Sequence, residues 1–406
     1  MSNLLLAGLH LPGSGLTNVL EALVAEFQRT RAVRCLGFEP AARRGEEDIV
    51  VNGCATHVRR GSGPFVAAPQ WLEREFAEHH PDAVLVNGPG NLAGPLLRQL
   101  QQFRDTTHIV LYLAIEGTLA GDAFAPLVAL ADTCVTYTED ARAGVAAMCG
   151  AAAARDADYR TPRLEVVGHG FDSSAFFPLA GFDESARRIA ARRALYGDGL
   201  DDAFIVLNCN RPYYRKRLDL TVAAFALFAR DKRDAHLHLH TGGRSATADA
   251  DLSRAIAESG VAERIHVTPR PGEERVRSTA WLNTLYNACD VGLTTAMGEG
   301  WGLTLFEHAA TRAALVAPAH TSFVENWSGA AVLVAAPGRE FIFYEASNMS
   351  VVDPAGVAAA LEILYRDRAL RDDLASSAFA RAHHERYTWK WAASRLAALL
   401  RRKEWP

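Results

Sequence analysis

Gly298-Glu299-Gly300-Trp301-Gly302-Leu303-Thr304-Leu305-Phe306-Glu307 is the stretch on which the reading of this chain turns. Two carboxylates stand near its ends, with a glycine-rich turn after the first and an apolar run before the second. The pattern predicts a loop that enters a helix near Leu303. Glu299 then sits in the loop and Glu307 about one turn into the helix, so that both can face one cleft. Gly298, Gly300 and Gly302 allow close backbone approach to a ligand and φ values barred to other residues. A helix entered this way offers unpaired N–H groups and a positive dipole end to a phosphate or a sugar hydroxyl. A carboxylate there can accept hydrogen bonds from two vicinal hydroxyls, each contributing roughly 1.5–3 kcal/mol. The plainer alternative is a strand-to-helix turn with two solvated glutamates.

Working outward, Asp290–Thr295 reads as the strand that feeds this loop, after a helix over 280–287. A strand over 314–317 follows, and its loop His320–Glu325 is placed on the same side. Upstream, the buried strand Ala203–Asn208 runs into Asn210-Arg211-Pro212-Tyr213-Tyr214-Arg215-Lys216-Arg217 and then a helix over 218–230. Four cations in seven residues at a strand's end and a helix's start suit a pyrophosphate. His236, His238 and His240 alternate on one strand face, which invites a metal reading. No carboxylate follows at ligand spacing, however, and the rings spread over roughly 13 Å, so no metal is expected there.

The first half repeats the alternation of strand and helix. Leu4–Leu9 is a buried strand, Pro12-Gly13-Ser14-Gly15 a tight loop, and 16–29 an amphipathic helix. The third glycine of a dinucleotide fingerprint would fall at Asn18, so that match is incomplete. Strands over 82–86, 108–113, 133–137 and 164–167 follow, separated by helices, which argues for a parallel sheet. The candidate ligand loops are 10–17, 87–92, 114–121 and 138–141. In the third, Glu116 is a carboxylate at a strand's carboxyl end beside a glycine; it could orient a hydroxyl or merely support the next turn. His169, in the turn Gly168–Asp172, is either a group that reaches the cleft or a plain turn histidine.

At 406 residues the chain has room for two ordinary domains, and its 49% hydrophobic and 22% charged content is that of a globular protein. A net charge of −4 gives no general attraction to nucleic acid or to anionic membrane. Six scattered cysteines with no CxxC pair fit reduced thiols and a cytoplasmic location. No signal peptide and no transmembrane stretch is read, and peripheral membrane contact is left open.

These motifs together resemble the retaining glycosyltransferase family 4, with its two-domain GT-B fold. Glu299 and Glu307 stand as in that family's E-x7-E motif, and Arg211 and Lys216 as in its Arg-x4-Lys pair. Gly170-Phe171-Asp172 with Phe176-Phe177-Pro178 is similar to its interdomain turn, and Asp290 to its entry into the donor loop. The resemblance spans about 140–330; before that it is one of layout only. It implies an α/β fold of two Rossmann-like doubly wound domains facing across a cleft. The first, 1–172, would be the acceptor side, with a C-terminal helix of about 386–406 packed back on it. The second, 173–385, would be the donor side.

The resemblance further implies transfer of a sugar from a nucleoside-diphosphate donor to an acceptor hydroxyl with retention, as a hexosyltransferase-type enzyme, without metal or cofactor. Arg211 and Lys216 would hold the diphosphate, and Glu299 with the Gly300, Trp301, Gly302 and Leu303 amides the sugar hydroxyls. Glu307 would hold the ribose, with Asn210 and Thr304 lining the donor site. Gly13 and Gly15 would approach the phosphates, and the loop with Arg270 and Pro271 the base. Where the family often has a histidine this chain has Ile115-Glu116, which makes Glu116 a fourth catalytic candidate beside Arg211, Lys216 and Glu299. The acceptor (a glycan, a lipid-linked sugar or a small molecule) and the oligomeric state stay open. A nucleotide-sugar epimerase and a catalytically silent donor binder are the alternatives.

Overall fold

The computed structural model describes residues 3–179, 183–242, 246–269 and 276–401. Arg270 and Pro271 lie outside the described residues. The chain divides into two compact units. One is built from the described residues of 1–170, 341–348 and 389–406, the other from those of 171–340 and 349–388.

The first unit begins with β1 (Asn3–Leu9), α1 (Gly15–Phe27), β2 (Ala32–Pro40), β3 (Gly45–Val51), β4 (Cys54–Gly61), α2 (Pro69–His79) and β5 (Ala83–Pro89). It continues with α3 (Gly90–Leu100), β6 (His108–Ala114), β7 (Thr118–Leu119), α4 (Ala125–Val128), β8 (Thr133–Thr136), α5 (Glu139–Ala153) and β9 (Arg163–Val166). Its sheet runs β3-β4-β2-β1-β5-β6-β8-β9, parallel except where β3 turns back on β4. The central strands read as unbroken apolar runs because helices cover both faces of a parallel sheet.

The second unit holds α6 (Glu184–Tyr196), β10 (Phe204–Cys209), α7 (Leu218–Ala229), β11 (Ala235–His240), α8 (Ala246–Glu258), β12 (Ile265–Thr268), α9 (Thr279–Ala288) and β13 (Val291–Leu293). After these come α10 (Leu303–Ala309), β14 (Ala314–Pro318), α11 (Thr321–Trp327), β15 (Val332–Val334), β16 (Gly338–Ile342), β17 (Ser347–Val351), α12 (Pro354–Arg366) and α13 (Arg368–Ala382). The last helix, α14 (Trp389–Leu399), belongs to the first unit and packs on α1. The second sheet is parallel throughout, in the order β12-β11-β10-β13-β14-β15.

One device fixes strand register in both sheets. Asp82, Asp132 and Asp290 each stand immediately before a strand. Each donates its backbone N–H to a neighbouring strand's carbonyl, at Asn3, Ile109 and Ile205, over 2.8–2.9 Å. Each carboxylate then accepts that same residue's N–H at 2.7 Å. Asp290 is held in turn by Arg192 at 2.6 Å. At Asp290, the buried member of the three, a slip of one residue would strand the carboxylate and flip the apolar set to the other face.

Several local expectations are corrected. Residues 30–68 carried no assigned element, yet they hold three strands, because charged β3 at the sheet edge shows no apolar alternation. The loop expected over 87–92 is absent: β5 runs to Pro89 and α3 starts at Gly90. The loop expected over 320–325 is the helix α11, entered through Thr321 at φ 43. His169 is neither a cleft group nor a turn residue; it is 3% exposed, beside Tyr112, Tyr137 and Trp389, with Nδ1 2.8 Å from the Tyr112 hydroxyl. The strand histidines are engaged locally. His236 lies 3.2 Å from His266, His238 bridges Tyr196 and Thr268, and His240 reaches Thr268 at 2.9 Å. Among the described residues, no three His, Cys, Asp or Glu side chains come together as metal ligands.

Burial lowers His169 to about 3 and His240 to about 4 from an ordinary 6.5. Both are therefore neutral when folded and protonate more readily when unfolded. Below pH 6.5 the unfolded chain binds the extra protons, so stability falls with pH by about 1.4 kcal/mol per unit for each such group. Thermal melts at pH 7 and pH 5 should show this loss, and His240→Gln should shrink it. An unchanged slope in the variant would remove His240 from the account.

Candidate functional site

The loops at the carboxyl end of the second sheet carry most of the residues singled out in the sequence. β10 ends at Cys209 and the chain turns through Asn210 and Arg211 into a single 3-10 turn, Tyr214–Lys216. Arg217, at φ 46, then caps α7. A buried polar ladder fixes this turn. The Asn210 amide donates to Asn208 Oδ1 (2.7 Å), and the Asn208 amide to Thr221 Oγ1 (2.8 Å). Thr221 Oγ1 meets Thr295 Oγ1 at 2.7 Å, and Thr295 Oγ1 lies 2.8 Å from the Arg217 carbonyl. The basic turn and the start of the glycine loop are thereby one rigid assembly.

Of the four cations, Lys216 points to Glu299. Its ammonium donates to Glu299 Oε2, and Arg215 Nη1 lies 3.8 Å from the same oxygen while donating to the Gly298 carbonyl at 3.1 Å. Arg217 turns away to Asp219, at 2.8 Å. Arg211 is half-buried, and its Cγ passes 3.7 Å from the space above Gly242, which sits at φ 60. Burial by itself would raise the Glu299 carboxyl, but Lys216 and Arg215 outweigh it and hold the group below the ordinary carboxylate range.

The Glu299 backbone is fixed from α11. Ser322 Oγ donates to the Glu299 carbonyl at 2.7 Å, Thr321 Oγ1 lies 3.3 Å from it, and His320 Nε2 reaches the Ala296 carbonyl at 3.0 Å. Burial lowers His320 to about 4, so it is a neutral donor at pH 7. Gly302 caps α10 at φ 88, and a Cβ there would meet Phe323 at 3.1 Å. Only glycine fits both demands. The Trp301 side chain is 6% exposed and stacks on Phe306 at 5.4 Å, so it is core, and only its backbone can meet a ligand.

Glu307 lies on α10, as the spacing predicts, and accepts from the Tyr286 hydroxyl at 2.6 Å. Burial lifts it to about 7, the Tyr286 hydrogen bond opposing the rise. The same hydroxyl lies 3.4 Å from Cys209 Sγ. Burial pushes that thiol up to about 12; the Glu307 charge adds to the rise and the Lys216 charge opposes it. Lys216 and Glu307 therefore both act on the end of β10. Leu303 and Thr304, half-buried, form the first turn beside them.

Gly13, Gly15 and Glu116 lie in the first unit. Gly13 takes φ 74 in an exposed loop, closed by Ser14 N–H on the Leu11 carbonyl (2.9 Å) and by Thr17, which accepts from Leu11 (2.8 Å) and donates to Leu9 (3.0 Å). Gly15 opens α1. Glu116 is half-buried, and its charge adds to the burial that raises the Tyr137 hydroxyl. Tyr286 was not picked out from the sequence, and His320 and Ser322 were read only as part of a loop on the same side, with no role given to either. Tyr286 stands on another helix and carries no motif spacing; a serine and a histidine just after a strand's end were the available signal for the others.

The sequence profile of a family described as Family 4 Glycosyltransferase in conflict systems matches residues 181–396, more than half the chain. No curated protein matches it. Solved structures similar to the chain include sucrose-phosphate synthase from Thermosynechococcus elongatus, at 15% identity and TM-score 0.71 over 98% of both chains. Another is described as trehalose-6-phosphate from E. coli bound with UDP-2-fluoro glucose, at 13% and 0.71 over 98% of this chain and 99% of that one. Anabaena HepE in complex with UDP and glucose is similar at 14% and 0.72, over 98% and 99%. At such identities the likeness speaks for the fold, GT-B.

Lys216→Met would leave Glu299 buried beside Arg215 alone. Removing one partner of a buried pair typically costs about 3–5 kcal/mol, and Arg215 places this case near the lower end. Urea unfolding should show that loss, with Lys216→Met/Glu299→Gln regaining part of it. A double variant no more stable than the single one would mean that the pair is not coupled.

Proposed function

The chain belongs to glycosyltransferase family 4, among the members described in conflict systems, and from that premise we propose that its second unit holds a nucleoside-diphosphate sugar and that the sugar passes to an acceptor hydroxyl with retention of anomeric configuration. The enzyme is a glycosyltransferase of the EC 2.4 class; the donor chemistry, the roles of individual residues and the stereochemistry are our reading. The observation that carries it is the meeting, at the end of β10, of a cation held on a buried carboxylate and a second carboxylate tuned close to neutrality.

Breaking the bond between the sugar's anomeric carbon and the diphosphate oxygen leaves negative charge on the diphosphate. Arg211 and Lys216 would stabilise that charge, an effect that can lower a barrier by several kcal/mol. Glu299 fixes the position of Lys216. Glu299 and the backbone of Gly300–Leu303 would receive the sugar hydroxyls, Glu307 the ribose hydroxyls, with Asn210 and Thr304 beside them. With both carboxylates occupied in binding, neither is free to act as the nucleophile of a double displacement. The basic pair fills the part that a divalent ion plays elsewhere, so we propose turnover without metal or cofactor. In the first unit, Gly13 and Gly15 would serve the phosphates and Glu116 the acceptor hydroxyl. A two-domain assignment with the donor side at 173–385 goes with these roles. The neighbours' UDP and glucose make a UDP-sugar the first donor to try.

All six cysteines are free thiols, and no described helix is long and apolar enough to cross a membrane. The free thiols support our reading of a cytoplasmic enzyme.

Calorimetry against UDP-, GDP-, ADP- and dTDP-sugars with EDTA present tests the donor site. One donor should bind at micromolar strength, and Arg211→Ala and Glu307→Ala should each weaken it at least tenfold. Binding that ignores both changes would sink the reading. Affinity should also depend on pH. A Glu307 carboxylate that accepts ribose hydroxyls must be ionised, so below pH 7 binding has to displace a proton, and affinity should rise up to tenfold per unit from pH 6 towards 7. Glu307→Gln should flatten the profile; a profile identical to wild type would detach Glu307 from the donor.

A further inference from the structure

α7 is apolar on nearly every side. Of its 12 residues, Leu218–Ala229, only Asp219 is charged. A helix lying on a sheet is expected to be apolar towards the sheet and polar towards water. α7 buries Leu218, Val222, Phe225 and Phe228 in the core, yet its outer face is apolar too. Ala223 is exposed, Ala226 half-buried and Leu227 46% exposed. That face is one wall of a groove of about 550 Å³, and the end of α8 with the turn to Val261 is the other. An apolar helix face left open beside a groove marks an interaction surface.

The order of the groove residues says what covers it. Along α7 they are Asp219, Val222, Ala223, Ala226, Leu227 and Arg230. Steps of three and four keep them on one face, and the span from Asp219 to Arg230 is close to three whole turns. Arg230 is the C-cap and still helical, at φ −49. From either end the stripe reads charge, branched apolar residue, alanine, and the two end charges are opposite. A second α7 laid antiparallel on it sets Asp219 against Arg230, Val222 against Leu227 and Ala223 against Ala226. Each pair then recurs with the copies exchanged, which is what a two-fold interface requires. The facing alanines let the helix axes approach closely. Asp219 holds Arg217 at 2.8 Å, but its side chain is 51% exposed, and a carboxylate has lone pairs for a second guanidinium. A partner of a single charge sign would match only one end of the stripe.

We propose that two copies of the chain associate through α7, antiparallel about a two-fold axis that passes between Ala223 and Ala226. None of the six groove residues has a part in the donor reading, so the two stand or fall separately. The contact spans about 18 Å of helix on each copy. An interface of that size gives a weak dimer, with dissociation in the micromolar range.

Sedimentation velocity of the full chain, from micromolar to several hundred micromolar, reads the association. Wild type should pass from monomer to dimer across that range. Leu227→Glu places a charge in the apolar stripe and should leave only monomer. Arg230→Asp sets a carboxylate against Asp219 of the other copy, and Asp219→Lys sets an ammonium against Arg230. Each of these two variants alone should self-associate at least about tenfold more weakly than wild type. Mixed together they should form a heterodimer within about threefold of the wild-type affinity, because the antiparallel arrangement then faces opposite charges at both ends. All three positions are exposed, and circular dichroism with a thermal melt checks that each variant is folded. A wild type that stays monomeric at every concentration would overturn the proposal. So would a dimer that Leu227→Glu leaves intact, which would place the interface elsewhere. Charge variants that fail to associate with each other as well as with themselves would overturn the antiparallel pairing.

Discussion

Glu299 carries a negative charge in a largely desolvated place, and the second unit is arranged to keep it there. Lys216 and Arg215 supply the opposing charge, and together they outweigh the cost of burial. The backbone under the carboxylate is held by Ser322, and the segment before it by His320. These contacts come from two strand ends, Lys216 and Arg215 from that of β10 and Ser322 and His320 from that of β14. The pair can exist only if β10, β13 and β14 stop at the right level, and that level is set by the parallel register that Asp290 locks. A charge pair of this kind contributes little net stability, because desolvation offsets most of the attraction. What it secures is geometry: a cation aimed and restrained at the end of β10.

Glu307 shows the opposite solution on the same helix approach. Its carboxylate accepts from a tyrosine hydroxyl, and burial leaves it close to neutrality. Two carboxylates eight residues apart thus differ in charge at pH 7 because their neighbours differ. Environments that push like groups apart are common where like residues have different tasks. The ionised one suits a site shared with a cation, the titrating one a site where hydroxyls are exchanged.

The fold class was legible because parallel strands buried on both faces leave apolar runs, and because the E-x7-E and Arg-x4-Lys spacings lie at strand ends. Family, fold and glycosyl transfer all follow that reading. What the sequence hid has physical reasons. β3 carries four exposed residues in its first part, so an edge strand there looks like a loop. The β16–β17 hairpin has a glutamate among its aromatics and no turn signature, and its partner β7 is two residues long and far away in sequence. Trp301 sits in a ligand motif yet packs into the core, a distinction that only tertiary contacts make. Tyr286 has no local signal at all, since its link to Glu307 depends on how α9 lies against α10.

The most direct measurement is a crystal structure with a nucleoside diphosphate bound. The β-phosphate should lie within hydrogen-bond distance of Lys216 Nζ and the Arg211 guanidinium, with the ribose hydroxyls on Glu307. A diphosphate bound elsewhere, with Lys216 still closed on Glu299 alone, would contradict the assignment.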